Sequence, residues 1–335
     1  MNQSYKSNNI VKLMRKALSS IDVAVTRHSS RAVLRVDGAD TEKFMQNFLT
    51  HDITHLKSTN ALHAAMLSPQ GRILFDVFVY RDAHSPSAVL VEHLASRTNQ
   101  LQTHLKRYKL RSKVEFTDVS QQLSVVSVLG EKIREIQDII TPSSSSSSSS
   151  TSDALFVAKD NRSPNMGIRI LSSNPEQQIE KLLQSNSIAF TRTDERVYDL
   201  YRTCQGVPTD PDELVLNDSL PSESTLDHLD AISYSKGCYL GQELTARTHF
   251  RGITRKMLLP VVPHVPPSNA DEPLEFGNGS LFANWRDDVL GHSFGLALPP
   301  AATKLQLCGE EEAQEEQNDA VSSEASTPAA AAAAA

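Results

Sequence analysis

Hydrophobic and polar positions along this chain sort into short strands and amphipathic helices. Ala32-Val33-Leu34-Arg35-Val36 reads as a strand closed by Asp37-Gly38. Asp40 follows as the cap of a helix carrying Phe44, Met45, Phe48 and Leu49 on one face. Leu62–Leu67 and Ile73–Tyr80 are β-prone runs joined by Ser68-Pro69-Gln70-Gly71-Arg72, a composition that predicts a hairpin. Asp76 interrupts the second run and faces either solvent or a site. Ala88–Val91 predicts a third strand. A helix over Thr98–Lys106 then runs into Lys106-Arg107-Tyr108-Lys109-Leu110-Arg111-Ser112-Lys113. That basic cluster reads as a solvated helix end or as a surface for an anionic ligand or acidic partner.

From Leu123 the order of elements carries the information. Leu123–Leu129, Leu155–Ala158 and Gly167–Leu171 read as strands, Glu131–Ile140 and Pro175–Leu183 as helices, and Ile188–Phe190 as a closing strand. The resulting β-α-β-β-α-β order is ferredoxin-like. The serine-rich run 142–152 has nothing to bury and is expected to be a flexible loop inserted in this unit. Val197, Leu200, Tyr201 and Cys204 mark one face of a further helix, stopped by Gly206 and Pro208. Met257–Val262, Leu281–Phe282 and Phe294–Leu298 suit a small terminal β-barrel. The expected organisation is therefore α+β. A first unit covers 31–120, the ferredoxin-like unit 121–192, a return to the first unit 193–255, the barrel 256–308, and a disordered acidic and alanine-rich tail 309–335.

Composition narrows the function. No apolar run approaches the roughly 20 residues that cross a bilayer. The net charge of −7 argues against a DNA-binding protein. Cys204, Cys238 and Cys308 are widely spaced with no CxxC pair, which fits a reducing compartment and argues against both a disulfide framework and a self-contained zinc site. Residues 1–30 hold Lys6, Lys12, Arg15, Lys16 and Arg27 against Asp22. With Ile10, Leu13, Met14, Ala17, Leu18 and Ile21 at helical spacing, they read as a mitochondrial transit peptide, the alternative being an ordinary disordered basic tail.

Chemistry concentrates in Ser235-Lys236-Gly237-Cys238-Tyr239-Leu240-Gly241-Gln242-Glu243-Leu244-Thr245-Ala246-Arg247-Thr248-His249. Gln242 onward reads as a helix, which sets Cys238 just before its N-terminus and beside Lys236, where a thiolate is favoured. The alternative is a buried, inert cysteine in a glycine turn. An accessible thiol among Lys236, Arg247, His249 and Arg251 supports nucleophilic catalysis, an anion pocket, or donation of a thiolate to a metal centre. An iron–sulfur cluster needs about four ligands, so one thiol here requires the others to come from a partner protein.

Lys236-Gly237-Cys238-Tyr239-Leu240-Gly241-Gln242-Glu243 resembles the signature of the YgfZ family, and its continuation to His249 is similar to the mitochondrial branch of that family, which is related to glycine-cleavage aminomethyltransferase. Arg31–Gly38, Pro69–Asp76, Leu105–Arg111 and Tyr201-Arg202 with Gly206-Val207-Pro208 resemble further landmarks. The resemblance implies a ring of α+β, ferredoxin-like and small β-barrel units around a folate-type pocket. It also implies a mitochondrial matrix factor that delivers [4Fe–4S] clusters to enzymes such as aconitase and the radical-SAM lipoate synthase. In that reading Cys238 is a shared cluster ligand and an A-type scaffold protein is the partner. Lys236, Gly237, Tyr239, Gly241, Gln242, Glu243, Arg247 and His249 shape the motif and its pocket. Tetrahydrofolate is a possible cofactor, with Asp76, Tyr108, Arg111 and Glu223 as pocket contacts. Aminomethyltransferases carry an acidic pair where this chain has Phe75-Asp76, so aminomethyl transfer is not expected here. A folate-dependent transferase, in one-carbon or tRNA-modification chemistry, and a folate-binding regulator are the alternatives.

Overall fold

A computed structural model describes residues 22–307 except 83–84, 131, 134–155, 212, 253, 255, 265–281 and 287–303. The elements, in chain order, are β1 (Ala24–His28), β2 (Arg31–Asp37), α1 (Thr41–Gln46), β3 (Ala61–Leu67), β4 (Ile73–Arg81), β5 (Ala88–Leu94), α2 (Thr98–Lys109), β6 (Glu115–Asp118) and β7 (Ser124–Leu129). They continue with β8 (Phe156–Lys159), β9 (Ile168–Ser172), α3 (Pro175–Ser185), β10 (Thr191–Thr193), α4 (Glu195–Cys204), α5 (Gln242–Arg251), β11 (Lys256–His264), β12 (Phe282–Arg286) and β13 (Lys304–Leu307). The expected amphipathic helix over residues 10–21, the helix after Lys132, the serine run, the strand over 294–298 and the acidic tail lie outside the described residues.

The first sheet is antiparallel in the order β3-β4-β5-β2-β6. Strand period 2 sends Leu62, Ala64, Met66, Phe75, Val77 and Val79 to one face, where they pack with Phe44, Met45, Phe48, Leu101 and Leu105 of the helical layer. Ala61, Phe78, Tyr80 and Leu90 go to the other face and meet Val125, Ala158 and Leu171 of the second sheet. Because β3 and β4 are buried on both faces, they read as near-continuous apolar runs. Asp76 is therefore not on a solvent face: it is only 2% exposed and sits between the sheets.

The second sheet runs β10-β1-β7-β9-β8, with β1 parallel to β10 and all other pairs antiparallel. Its strands from β7 onward keep the ferredoxin-like order, but β1 is inserted between the first and last of them. That strand falls within the segment that composition assigns to a leader. Its Ala-Val-Thr core carries no charge until Arg27, and composition averaged over thirty residues hides it. The closing strand also lies further on than expected. Ile188 and Phe190 pack against the core under this sheet, and the pairing with β1 is made by Thr191–Thr193. Beyond α5, β12-β11-β13 form an open three-stranded sheet. Three strands are too few to close, so the described residues form no barrel.

Asp40 occupies the N-cap of α1, yet its carboxylate makes no bond to the helix and accepts the Lys113 amide at 2.7 Å instead. The expected cap thus ties α1 to the loop after α2.

Candidate functional site

The segment 231–241 is bonded onto the C-terminal end of α1 and the residues that follow it. Ser233 donates its amide to the Thr50 carbonyl, and Leu240 donates to Asn47, at 3.0 and 2.8 Å. The Thr50 hydroxyl donates to the Ala231 carbonyl at 2.6 Å. Lys236 is 7% exposed, and its Nζ donates to the carbonyls of Gln46, Leu49 and His51 at 2.8, 2.6 and 3.0 Å. The same ammonium lies 4.9 Å from the centre of the buried Tyr239 ring. Burial pulls Lys236 down to about 8, with Asp52 opposing the shift. Burial likewise pushes the Tyr239 hydroxyl well above its ordinary range.

This geometry changes the part Lys236 plays. Its charge answers the carbonyl oxygens of Gln46, the last residue of α1, and of Leu49 and His51 in the turn beyond it, so it is not a free cation for an anion. Cys238, two residues on, is exposed, which overturns the buried and inert alternative. The two motif glycines differ. Gly241 has φ +80°, and a Cβ there would stand 2.3 Å from the Ser68 carbonyl oxygen, so only glycine fits against the β3–β4 turn. At Gly237 a Cβ would meet nothing within 4 Å. No contact among the described residues requires glycine there.

Of the other motif side chains, Glu243, Arg247 and His249 are engaged by partners other than the thiol. Gln242 opens α5, and Glu243 pairs with Arg247 at 2.5 Å on its exposed face. His249 stacks on Tyr234 with ring centres 3.5 Å apart. The four proposed folate contacts are also dispersed. Asp76 faces the second sheet, whereas Tyr108 packs with Phe48 on the opposite face of the first sheet. Arg111 is exposed in the loop after α2, and Glu223 is half-buried and accepts the Leu258 amide through its backbone at 2.8 Å.

A buried polar network between the sheets went unread in the sequence. Asp76 accepts from His63 Nε2 at 2.5 Å and from the Thr209 hydroxyl at 3.3 Å. Burial would raise its carboxyl, but His63, Arg31 and Arg162 carry it well below the usual carboxylate range. Glu92 is 0% exposed and is paired with Arg31 at 2.8 Å and with Arg169, while Tyr80 donates to it at 2.6 Å. Arg162 forms a two-point pair with Asp160, and both Arg162 and Arg169 donate to the Tyr198 hydroxyl at 2.8 Å. Both guanidiniums stack on Phe78, 4.6 and 4.5 Å from its centre. The signal was present as a lone Glu in β5 and a lone Arg in β9, each inside an apolar strand. These carboxylates and guanidiniums satisfy one another, and the four residues expected to touch folate do not frame one pocket for it. His63 Nδ1 is buried without a hydrogen-bond partner. Among the described residues no three His, Cys, Asp or Glu side chains are grouped to hold a metal ion.

Residues 9–156 match the family model described as the GCVT N-terminal domain. A protein of Chaetomium globosum named "Iron-sulfur cluster assembly factor IBA57 homolog, mitochondrial" is 36% identical over 309 residues, 84% of this chain and 65% of that protein. One of the same name from Dictyostelium discoideum is 32% identical over 74% of this chain and 64% of its own length. These homologues are named as mitochondrial iron–sulfur cluster assembly factors. The chain spans just under two thirds of the length of these relatives. The crystal structure of glycine cleavage system aminomethyltransferase T from Bartonella henselae shares the fold, with a TM-score of 0.58 at 14% identity over 75% of this chain and 70% of that one. The α+β architecture expected from sequence is thus the aminomethyltransferase fold, carried here by a relative of assembly factors.

Proposed function

We propose that this chain acts in the mitochondrial matrix in the late assembly or delivery of [4Fe–4S] clusters. Cys238 is one thiolate of a cluster shared with an A-type scaffold protein, and aconitase and the radical-SAM lipoate synthase are among the enzymes served. The ring-like disposition of its units around a central pocket belongs to the same reading. The supporting observation is the exposed Cys238 on a segment held at both sides, through Lys236 and Leu240, to the end of α1. A thiol so held is presented to another molecule and cannot by itself supply the several ligands a cluster takes. The assembly-factor relatives support the process, and the cluster is cargo here. The Asp76 carboxylate is engaged by His63 and Thr209, so no folate-dependent step is derived.

Anaerobic co-purification with an A-type scaffold tests this, read by absorbance and iron content. The wild-type pair is expected to retain a cluster that Cys238→Ser loses. Equal iron in the two would sink the assignment of Cys238.

A further inference from the structure

We propose that the surface presenting Cys238 continues across the end of α1 onto the basic tip of α2, and that this combined surface docks an acidic protein bearing the remaining cluster thiolates. The proposal rests on the shared-thiol reading above and adds where, and to what chemistry, the partner binds.

Leu110 follows the last residue of α2 and is 88% exposed, in a conformation with φ +43° and ψ −112°. A leucine seldom adopts positive φ, and a strained backbone of this kind persists where surrounding structure holds it. Here the loop is held by Asp40, whose carboxylate takes the Lys113 amide and whose own amide donates to the Lys113 carbonyl at 3.3 Å. The strain leaves a large apolar side chain in water, flanked along the chain by Lys106, Arg107, Lys109, Arg111 and Lys113. Lys106 reaches only Gln102, and Arg107 lies 5.8 Å over the Tyr108 ring. No ion pair joins any of these five cations to a carboxylate among the described residues. In a chain of net charge −7, an unpaired basic cluster around an exposed leucine is a local inversion of the surface.

This tip and the thiol segment both reach the residues that close α1. Tyr108 packs on Phe48 with ring centres 5.5 Å apart, and Leu240 is bonded to Asn47, the residue before Phe48. Tyr108 and Leu240 both rest on the same core cluster. The end of α1 is therefore flanked by Gly237-Cys238 and by the α2 tip. An apolar anchor inside a cationic rim suits an acidic surface with a shallow apolar pocket. An anionic bilayer fits less well, because the thiol of the shared-cluster reading requires further thiolates that only a protein brings.

The test measures binding of the full chain to a cluster-loaded A-type scaffold at low and high salt. Lys109→Glu with Arg111→Glu should weaken binding tenfold or more at low salt and flatten its salt dependence. Leu110→Ser should weaken it several-fold at both salt concentrations. Leu110 and Arg111 are exposed and Lys109 is half-buried, so unchanged thermal unfolding is expected to accompany these losses. If Cys238→Ser removes the cluster while the tip variants bind within twofold of wild type, the docking surface is wrong and the thiol assignment stands. If the wild-type chain binds no scaffold, both fall. If the tip variants change only retention on anionic vesicles, or only salt-sensitive self-association, the acidic-protein partner is overturned.

Discussion

At the scale of single residues, Lys236 and the two motif glycines show how differently neighbours in one motif are constrained. Lys236→Met would leave three carbonyls at the end of α1 without their donor, at a cost of about 1–3 kcal/mol. Gly241→Ala must place a side chain at φ +80° against Ser68 and should destabilise by more than about 1 kcal/mol. Gly237→Ala meets open space and should stay within about 0.5 kcal/mol of wild type. Denaturant unfolding of the three variants checks this ranking, and a Gly237→Ala as unstable as Gly241→Ala would contradict it. Cys238 was legible in the sequence because thiols are rare and this one sits in a dense polar motif. Lys236 was visible as a residue but misread in role, because its partners are backbone carbonyls 185 to 190 positions away that no sequence pattern displays.

At the scale of elements, the hairpin, the third strand and the helix ending near Lys109 follow from periodicity and turn residues alone. What periodicity missed is the register of charges facing each other between two sheets. Burial raises the Glu92 carboxyl, but Arg169 and Arg31 overcome that and hold it well below its ordinary value. A carboxyl depressed in the folded state contributes stability above its unfolded pKa, and that contribution is lost as pH falls through the folded value. The Glu92 contribution should therefore be constant above about pH 5 and decline as the solution becomes more acid. Glu92→Gln should remove part of that decline and cost roughly 3–5 kcal/mol at neutral pH, since Arg31 and Arg169 stay buried without their counter-charge. Urea unfolding of both proteins across pH 2–8 measures each effect; identical acid limbs would show that Glu92 does not carry the dependence.

At the scale of the whole molecule, β1 decides what the N-terminal segment can be. Its pairing between β7 and β10 makes residues 24–28 part of the folded body. A transit peptide removed on import must then be cut before Ala24, and N-terminal sequencing of the imported protein is expected to find that. A chain begun at Arg31 should lose the cooperative unfolding of the second sheet, because β7 and β10 are left without the strand between them. Cooperative unfolding identical to that of the longer chain would remove β1 from the folding unit.

The sequence by itself determined the α+β class, the order of local elements, the placement of Cys238 in a polar glycine-bearing motif, and the family it resembles. These are properties of near neighbours along the chain, and periodicity, turn chemistry and rare residue types report them directly. Only the tertiary structure decided that Cys238 is exposed, that Lys236 serves the end of α1 and the turn beyond it, and that Asp76 and Tyr108 stand on opposite faces of a sheet. Each depends on which distant segments share a surface. Burial, strand insertion and backbone donors set that, and none of them leaves a period in the sequence.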